Sequence, residues 1–476
     1  MRRRSFSLAA LPLLLAACGT VVGPDYRMPQ QAVVQRPDAA APFLGAASKP
    51  FSQQPLPAQW WRLYRDSTLD GLVKQAFTAN TDLRVASANL ARARAVLAEA
   101  EQIGRPAVDV SAAPAFGRAA GAPSGIGHAL PDHASYDAGL HVSYQLDLFG
   151  KLARAVEAAD ADTQAAQAAS DLARVTVAAE TTRAYAEACS AGQQIAIARQ
   201  SVALQDRFVQ STAQRVKLGR GTALDNSRAL AQREQLRAAV PPLEAQRRGA
   251  LYRLALLTGE TPSHFPQAVA NCERAPQLAS AIPVGDGAAL LRRRPDIRQA
   301  ERTLAASTAR IGVATSELYP QISLGLSAGS TGSLSGFGEG NTFRYSLGPL
   351  ISWSLPSTGT ARMHIAQAEA GTAASLARFD GVVLNALRET ETALSNYARE
   401  LDRNAALKAA RDQSATASQQ AAKLYRFGRT DFLTTLDAER TLASSEAAVA
   451  ASNATLAADQ VALFLALGGG WEQAPQ

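Results

Sequence analysis

A few side chains in this sequence could take part in chemistry, but their spacing gives little support for a reaction. His128, His133 and His141 surround one loop and could bind a metal ion, yet no cysteine or carboxylate accompanies them at ligand spacing. The glycine-rich residues 336–340 precede no helical pattern, so they do not predict a nucleotide site. Because nucleophile-elbow and paired-cysteine motifs are also missing from the sequence, we expect no enzyme, no cofactor and no metal site.

The clearest chemical signal is at Cys18. An arginine-rich start and the apolar residues 8–15 are typical of an export signal, and the apolar run is too short to span a bilayer. The run ends in Leu-Ala-Ala-Cys-Gly, which resembles a bacterial lipobox, so we expect cleavage after Ala17 and acylation of Cys18. Several acyl chains would anchor the protein stably. The resemblance to a lipobox also implies, from Gly19 after the cysteine, the outer membrane rather than the inner one. An ordinary signal peptide with an incidental cysteine is the alternative.

The other two cysteines, Cys189 and Cys272, are predicted to remain free thiols. A disulfide is chemically feasible in an exported protein. However, Cys189 lies deep in a helical pattern and Cys272 lies in a proline-containing connector. Nothing in the sequence places the two residues together.

Composition does not point to nucleic acid. The formal net charge of +7 falls to +4 once the three arginines of the export signal are removed, and no basic cluster with interleaved aromatic residues is present. Aromatic residues are scarce and alanine is abundant. This composition favours extended packing of helices over a large globular core.

Alternating sequence changes into helical sequence twice. From Tyr136 to Leu146 apolar and polar residues alternate, which predicts a strand, and after Gly150 the alternation gives way to a long alanine-rich run. Residues 343–355 alternate in the same way before Gly359 introduces a second long run. The sequence thus predicts two strands that each lead into a helix.

Each long helix is predicted to return as a hairpin. The helices run to Gly219 and Gly428, so each spans on the order of 100 Å at the usual helical rise. Thr222 and Asp225 can cap the first returning helix, and the prolines at 241–242 predict a kink in it.

The second half of the chain repeats the first. Up to the loop of the first strand hairpin the two halves match at a displacement of 214 residues, and beyond that loop they match at 209 residues, so five residues are lost in the loop. The matched pairs include Asp82 and Asp296, Pro106 and Pro320, Gly150 and Gly359, Gly219 and Gly428, and Gly259 and Gly468.

The N-terminal motif, the residue patterns and the repeat together predict the following segments: a signal peptide (1–17), a lipid-anchored extended segment (18–66), a helix (67–105), a transmembrane β-hairpin (106–149), a long helical hairpin (150–258), a connector (259–286), a second helix (287–319), a second transmembrane β-hairpin (320–358), a second long helical hairpin (359–467) and a C-terminal tail (468–476).

The strands are predicted to cross a membrane. Each is about as long as the roughly 9–11 residues that a tilted crossing needs. Four strands leave open edges that lipid cannot satisfy, so closing a barrel requires several chains. Aromatic residues near the strand ends suit a membrane interface. A soluble β-sandwich is the alternative.

Several motifs resemble those of the TolC-like outer-membrane efflux proteins, most nearly the lipoprotein branch of OprM and NodT. They are the lipobox, Gly23-Pro24-Asp25-Tyr26, Trp60-Trp61, Asn80-Thr81-Asp82-Leu83, Arg294-Pro295-Asp296-Ile297 and the two glycine turns. The resemblance implies a mixed α/β membrane protein. It would be a homotrimer with a twelve-stranded transmembrane β-barrel that continues into a twelve-helix periplasmic α-barrel, and with an equatorial belt that includes residues 259–286.

The same resemblance implies a passive exit duct of a tripartite efflux pump. Its partners would be a periplasmic adaptor, an inner-membrane transporter of the resistance–nodulation–division (RND) type and outer-membrane lipid. Two alternatives stay open: a lipid-anchored coiled-coil adaptor or structural protein without a pore, and a duct that serves type I protein secretion.

The resemblance also implies a periplasmic gate at Leu433 and Asp437. Three Asp437 carboxylates would attract cations and repel anions, and three leucines would form an apolar barrier. Alternatively, Asp437 is a solvated residue that pairs with Arg440. A second gate acid of the family would fall at Thr434, where this sequence departs from that pattern. The adaptor would contact the two helix tips, formed by Gly219, Gly221 and Thr222 and by Gly428, Arg429 and Thr430.

Overall fold

The computed structural model describes residues 21–47, 50–118, 131–278, 280–353 and 358–470. The predicted signal peptide, Cys18, His128, the middle of the first hairpin loop and the end of the C-terminal tail lie outside these residues. The chain divides into two compact units. One consists of Met1–Pro29, Leu90–Ala166 and Ala300–Phe379, and the other of Gln30–Asn89, Gln167–Gln299 and Asp380–Gln476.

The described helices are α1 (Ser67–Ala79), α2 (Thr81–Ile103), α3 (Lys151–Lys217), α4 (Ala223–Ala238), α5 (Val240–Leu257), α6 (Gln267–Ala270), α7 (Gly287–Arg293), α8 (Pro295–Ser316), α9 (Thr358–Arg426) and α10 (Phe432–Ala466). The described strands are β1 (Phe51–Ser52), β2 (Ala107–Gly117), β3 (His133–Leu146), β4 (Ile282–Pro283), β5 (Gln321–Ser333) and β6 (Phe343–Ser352).

The first unit contains a four-stranded antiparallel sheet in the order β2-β3-β5-β6. Directly opposite residues of such a sheet share a face, and the register sets Val110, Leu140, Ala328 and Tyr345 side by side. The sheet therefore has one continuous apolar face, as the alternation predicts. On the other face, Arg344 Nη2 lies 2.6 Å from the carboxylate of Asp137.

The change from strand to helix in the first half occurs at Gly150. Its φ of +75° is in the left-handed region, and a Cβ there would lie 2.8 Å from Val21 Cα, so only glycine fits. Asp147 accepts hydrogen bonds from the N–H groups of Leu152 and Ala153 and thereby starts α3.

The expectation that Gly359 marks the same change is wrong. α9 already begins at Thr358, and Gly359 lies inside its first turn. Gly359 does not have a positive φ, and no described atom lies within 4 Å of where its Cβ would be. Glycine is therefore not required there by either conformation or space.

The second unit has a core that joins the N-terminal segment to the ends of the helices. The Trp60 ring stacks on Phe464 at 4.5 Å, and Trp60 Nε1 donates to the Gly469 carbonyl at 3.2 Å. Among the described helices, only α10 is long and apolar enough to cross a membrane by length and composition. Its Val461, Leu463 and Phe464 are nevertheless buried in this core.

The helices expected over 67–105 and 287–319 are each interrupted, at Asn80 and at Arg294. Asn80 Oδ1 accepts from the N–H groups of Asp82 and Leu83 and caps α2. Pro295 disfavours helical backbone at Arg294, so α7 ends there. The interruption predicted at prolines 241–242 is confirmed, because α5 starts at Val240 with proline in its first turn.

The two interruptions make equivalent contacts in the two halves. Asn80 Nδ2 donates to the Leu257 carbonyl at 3.2 Å, and Arg294 Nη1 donates to the Ala466 carbonyl at 2.8 Å. Asn80 and Arg294 are 214 residues apart and Leu257 and Ala466 are 209 residues apart, which are the two displacements of the repeat. Each half thus uses a buried side chain to satisfy a carbonyl at the end of its last helix.

Cys189 and Cys272 form a disulfide, so the prediction of free thiols is wrong. Their Cα atoms are 4.7 Å apart although 83 residues separate them in sequence. The path of the connector over α3 brings them together, and no local sequence pattern records that path.

Candidate functional site

The first turn joins α3 to α4 at Gly219. Its φ is +69°, and no described atom lies within 4 Å of where a Cβ on this residue would stand. Glycine is therefore favoured here by the left-handed backbone conformation and not by a lack of space. Arg220 N–H donates to the Arg215 carbonyl at 2.9 Å and closes the end of α3. The predicted capping box is confirmed, since Thr222 and Asp225 each bond to the other's backbone N–H.

The second turn joins α9 to α10 and has the same backbone at Gly428, with φ of +70°. Arg429 N–H donates to the Leu424 carbonyl at 2.9 Å. Asp431 caps α10 by accepting from Thr434 N–H at 2.7 Å. Asp431 and Thr434 occupy the positions equivalent to Thr222 and Asp225, so the two caps use the same residue types in reversed order.

Both turns are flanked by exposed apolar side chains, of which only Leu433 was predicted as a functional residue. Leu218 is 72% exposed and its equivalent Phe427 is 71% exposed. On the other side of each turn, Leu224 is 56% and Leu433 is 52% exposed. The repeat could have identified these side chains, because equivalent positions beside both turns have apolar residues. Such clusters on an otherwise polar surface are typical of interaction sites.

The two hairpins contact each other near their turns. Phe208 of α3 stacks on Phe432 of α10 with ring centroids 5.4 Å apart. The Arg215 guanidinium lies 3.9 Å from the centre of the Tyr425 ring and donates to the Tyr425 carbonyl at 2.8 Å. The structure therefore brings the two sets of predicted tip residues onto hairpins that pack together.

Leu433 and Asp437 lie one turn apart on an exposed side of α10. Asp437 does not pair with Arg440. Instead, Arg440 Nε donates to Gln232 Oε1 on α4 at 2.7 Å. Within the described part of the chain, no ion pair involves Asp437. The side chains offer an apolar group and an unpaired negative charge, and Arg440 with Gln232 tethers this part of α10 to α4.

A second acid on α10, Glu439, faces a cavity of about 740 Å³ between α3, α4, α9 and α10. Burial raises the pKa of Glu439 from 4.5 to about 7. The other charged side chains that line the cavity are Arg207 of α3, Arg426 of α9 and Glu446 of α10, and α4 contributes Gln232 and Leu236. Burial also raises the pKa of Glu446, and Arg411 opposes that shift.

Glu439 is expected to make stability fall as pH rises. Below pH 4.5 the carboxyl is neutral in the folded and the unfolded chain, whereas above about pH 7 the folded chain must hold a partly buried charge. The stabilising effect of the neutral form is therefore lost between these values. We expect the thermal midpoint, measured by far-ultraviolet circular dichroism, to be about 5 °C lower at pH 8 than at pH 5.

Glu439→Gln should remove most of this pH dependence and raise the midpoint at pH 8. Asp437→Asn is the matched control, because Asp437 is an exposed acid on the same helix. The control should keep the pH dependence of the unmodified protein. An equal effect of both variants would contradict the assignment to Glu439.

Two of the three histidines named above lie in the described part of the chain. His133 and His141 both lie on β3, and His128 lies outside the described part. Across that part of the chain, no group of three or more His, Cys, Asp or Glu side chains could hold a metal ion.

Comparison with known proteins gives concordant matches over nearly the whole chain. A family model for outer membrane efflux protein matches residues 72–260 and 288–469. Outer membrane protein OprJ of Pseudomonas aeruginosa is 30% identical over 99% of this chain and 98% of its own length. Nodulation protein T of Rhizobium leguminosarum bv. viciae is 28% identical over 98% of this chain and 94% of its own. The solved structure of the outer-membrane channel OprN matches with a TM-score of 0.88 and 38% identity, over 94% of this chain and 99% of that one.

Proposed function

The chain belongs to the outer membrane efflux protein family, and on that premise we propose that it is the exit duct of a tripartite pump. It is an outer-membrane protein of a family of channels, not of enzymes. In the proposed pump an inner-membrane RND-type transporter selects the substrate, a periplasmic adaptor connects it, and this protein conducts passively.

The four-stranded sheet supports a barrel made from three chains. Its apolar face carries exposed Val110, Leu347 and Ile351, which suit contact with lipid. Its outer strands, β2 and β6, each pair with one neighbour in the described sheet, and open edges are not tolerated in a bilayer. Three copies would supply twelve strands and close the sheet, with the face of Asp137 and Arg344 lining a water-filled lumen.

The helices support a long helical passage. α3 has 67 residues and α9 has 69, so each extends on the order of 100 Å. With α4–α5 and α10 as returning helices, one chain supplies four helical rods and three chains supply twelve. The alanine-rich sequence permits these helices to pack closely side by side.

The N-terminal contacts support a lipid anchor close to the end of β3. Val22 N–H donates to the Phe149 carbonyl at 3.2 Å, and Val21 lies against Gly150. Arg154 adds hydrogen bonds to the carbonyls of Val22 and Gly23. Three residues of extended chain reach about 10 Å, so acyl chains on Cys18 would enter the leaflet near this end of the strands.

The exposed apolar residues beside the turns support docking of the adaptor at the helix tips. Leu218 and Phe427 stand next to Gly219 and Gly428, where an isolated chain would expose them to water. Covering them would remove apolar surface from water at both tips. The proposed adaptor contacts also include Gly221, Thr222, Arg429 and Thr430.

The trimeric duct is tested by extracting the membrane protein in detergent and comparing unheated with heated samples on an SDS gel. We expect a heat-modifiable band at three times the mass of the heated chain, and stepwise conductance when the same material enters a planar bilayer. A monomer that gives no conductance would contradict the duct and favour a lipid-anchored adaptor without a pore. The identity of the co-purifying inner-membrane transporter would separate a drug or metal pump from type I protein secretion.

A further inference from the structure

The disulfide between Cys189 and Cys272 lies at the connector between the two repeats. Cys189 is fully buried near the middle of α3, and Cys272 follows α6. The connector backbone lies so close to α3 that a Cβ at Gly192 would be 2.0 Å from the Cys272 carbonyl oxygen. Gly192, one turn after Cys189, is therefore required for the connector to approach α3 this closely.

The connector also packs on the core on both sides of the crosslink, where Phe265, Ala270, Ala275 and Leu278 are partly buried against it. Residues 260–264 and 273–274 are exposed, and Val269 is the fully buried apolar residue between them. At its far end, the connector pairs with the N-terminal segment through β1 and β4, where Ile282 N–H donates to the Pro50 carbonyl. Exposed segments open locally at low free energy, so the crosslink restrains the exposed residues 273–274, which directly follow Cys272.

The chemistry of the bond requires an oxidant. Two thiols lose two protons and two electrons as the S–S bond forms, and the disulfide of a thiol oxidase accepts them and becomes two thiols. Because Cys189 is fully buried and Cys272 is only partly buried, the mixed disulfide with the oxidase forms at Cys272, and the Cys189 thiolate then displaces the oxidase thiol.

We propose that the bond between Cys189 and Cys272 is a brace, installed after export, that fastens the connector to α3. Without the brace, the connector opens locally at the exposed residues 273–274 and becomes cleavable there, while the helical core remains folded. The brace does not depend on conduction, so it can be tested separately from the role of the duct.

The first test counts thiols in detergent-extracted protein. A maleimide added after denaturation without reductant should label neither Cys189 nor Cys272, and prior reduction should expose both to labelling in the mass spectrum. Gly192→Val should leave the two thiols largely unoxidised, because its side chain occupies the position of the Cys272 carbonyl. Full labelling of both cysteines in the unreduced, unmodified protein would overturn the proposal.

The second test measures what the brace holds. Arg274 is exposed two residues after Cys272 and offers a trypsin site in the connector. Cys272→Ser and Cys189→Ala should each speed cleavage after Arg274 about tenfold, as expected for a locally opened segment. Cleavage after Arg220, in the exposed first turn, is the internal control and should not change. Equal cleavage after Arg274 with and without the bond would overturn the proposal, and faster cleavage at both sites would show general unfolding instead.

Discussion

Replacing Leu433 and Asp437 together by alanine is expected to raise the single-channel conductance about tenfold. In the proposed trimer, three Leu433 side chains form an apolar constriction and three Asp437 carboxylates add a ring of negative charge. Both side chains are exposed in a single chain and lie one turn apart on α10. The substitution removes the apolar barrier and the charge at once. Planar-bilayer recordings of both proteins measure the change.

Two further variants separate the contributions of the gate residues. Leu224→Ala changes the equivalent exposed leucine beside the first turn and should leave conductance close to its original value. Asp437→Asn keeps the size of the side chain but removes its charge, so it should weaken block by divalent cations. The gate assignment is wrong if the double alanine variant conducts, and is blocked, like the unmodified protein.

Arg294→Ala is expected to destabilise the protein by about 3–5 kcal/mol, the usual cost of breaking a buried ion pair. The guanidinium side chain is 9% exposed, lies 2.7 Å from Asp296 and 2.9 Å from Glu389, and donates to the Ala466 carbonyl. Burial alone would lower the pKa of Arg294, but its bonds to Asp296 and Glu389 raise it. Alanine would remove the cation that two carboxylates and a carbonyl share, and within the described residues these acceptors would keep only their hydrogen bonds from Ile297 N–H, Asn385 and Thr390. Thermal or urea unfolding in detergent measures the loss.

The neighbouring and the equivalent positions provide controls for Arg294. Arg388 is exposed, donates to Asn385 on its own helix and lies 3.9 Å from the Glu389 carboxylate. Because that ion pair is exposed to solvent on the arginine side, Arg388→Ala should change stability by less than about 0.5 kcal/mol. Asn80→Ala removes the equivalent, uncharged donor of the first half and should cost about 1–3 kcal/mol. A loss at Arg294 no larger than that at Arg388 would contradict the buried-network argument.

The local features of the fold could be predicted from the sequence, because each depends on residues that are close together in the chain. Alternation set the faces of β3, and the capping pair of Thr222 and Asp225 set the start of α4. The glycines at 219 and 428 have the positive φ that a glycine-terminated helix predicts. The displacement of the repeat then predicted the same features at the equivalent positions of the second half.

Contacts between residues that are far apart in the sequence could not be predicted in the same way. The bond between Cys189 and Cys272 depends on the path of the connector, which no periodicity describes. An acid such as Glu439 is ordinarily solvated, and only the packing of α3 and α9 around it shows that it is covered. Arg440 was expected to pair with Asp437 on its own helix, whereas its partner, Gln232, belongs to α4.

The reversed caps at the two turns bear on how the halves have diverged since their duplication. Each returning helix needs a side-chain acceptor at its N-cap, which is Thr222 in the first half and Asp431 in the second. Three positions later the residue types are exchanged, because Asp225 follows Thr222 and Thr434 follows Asp431. The copies have therefore inherited a geometric requirement, not a particular residue. A position-by-position comparison of the halves scores these sites as mismatches, so it understates how much of the ancestral half each copy has kept.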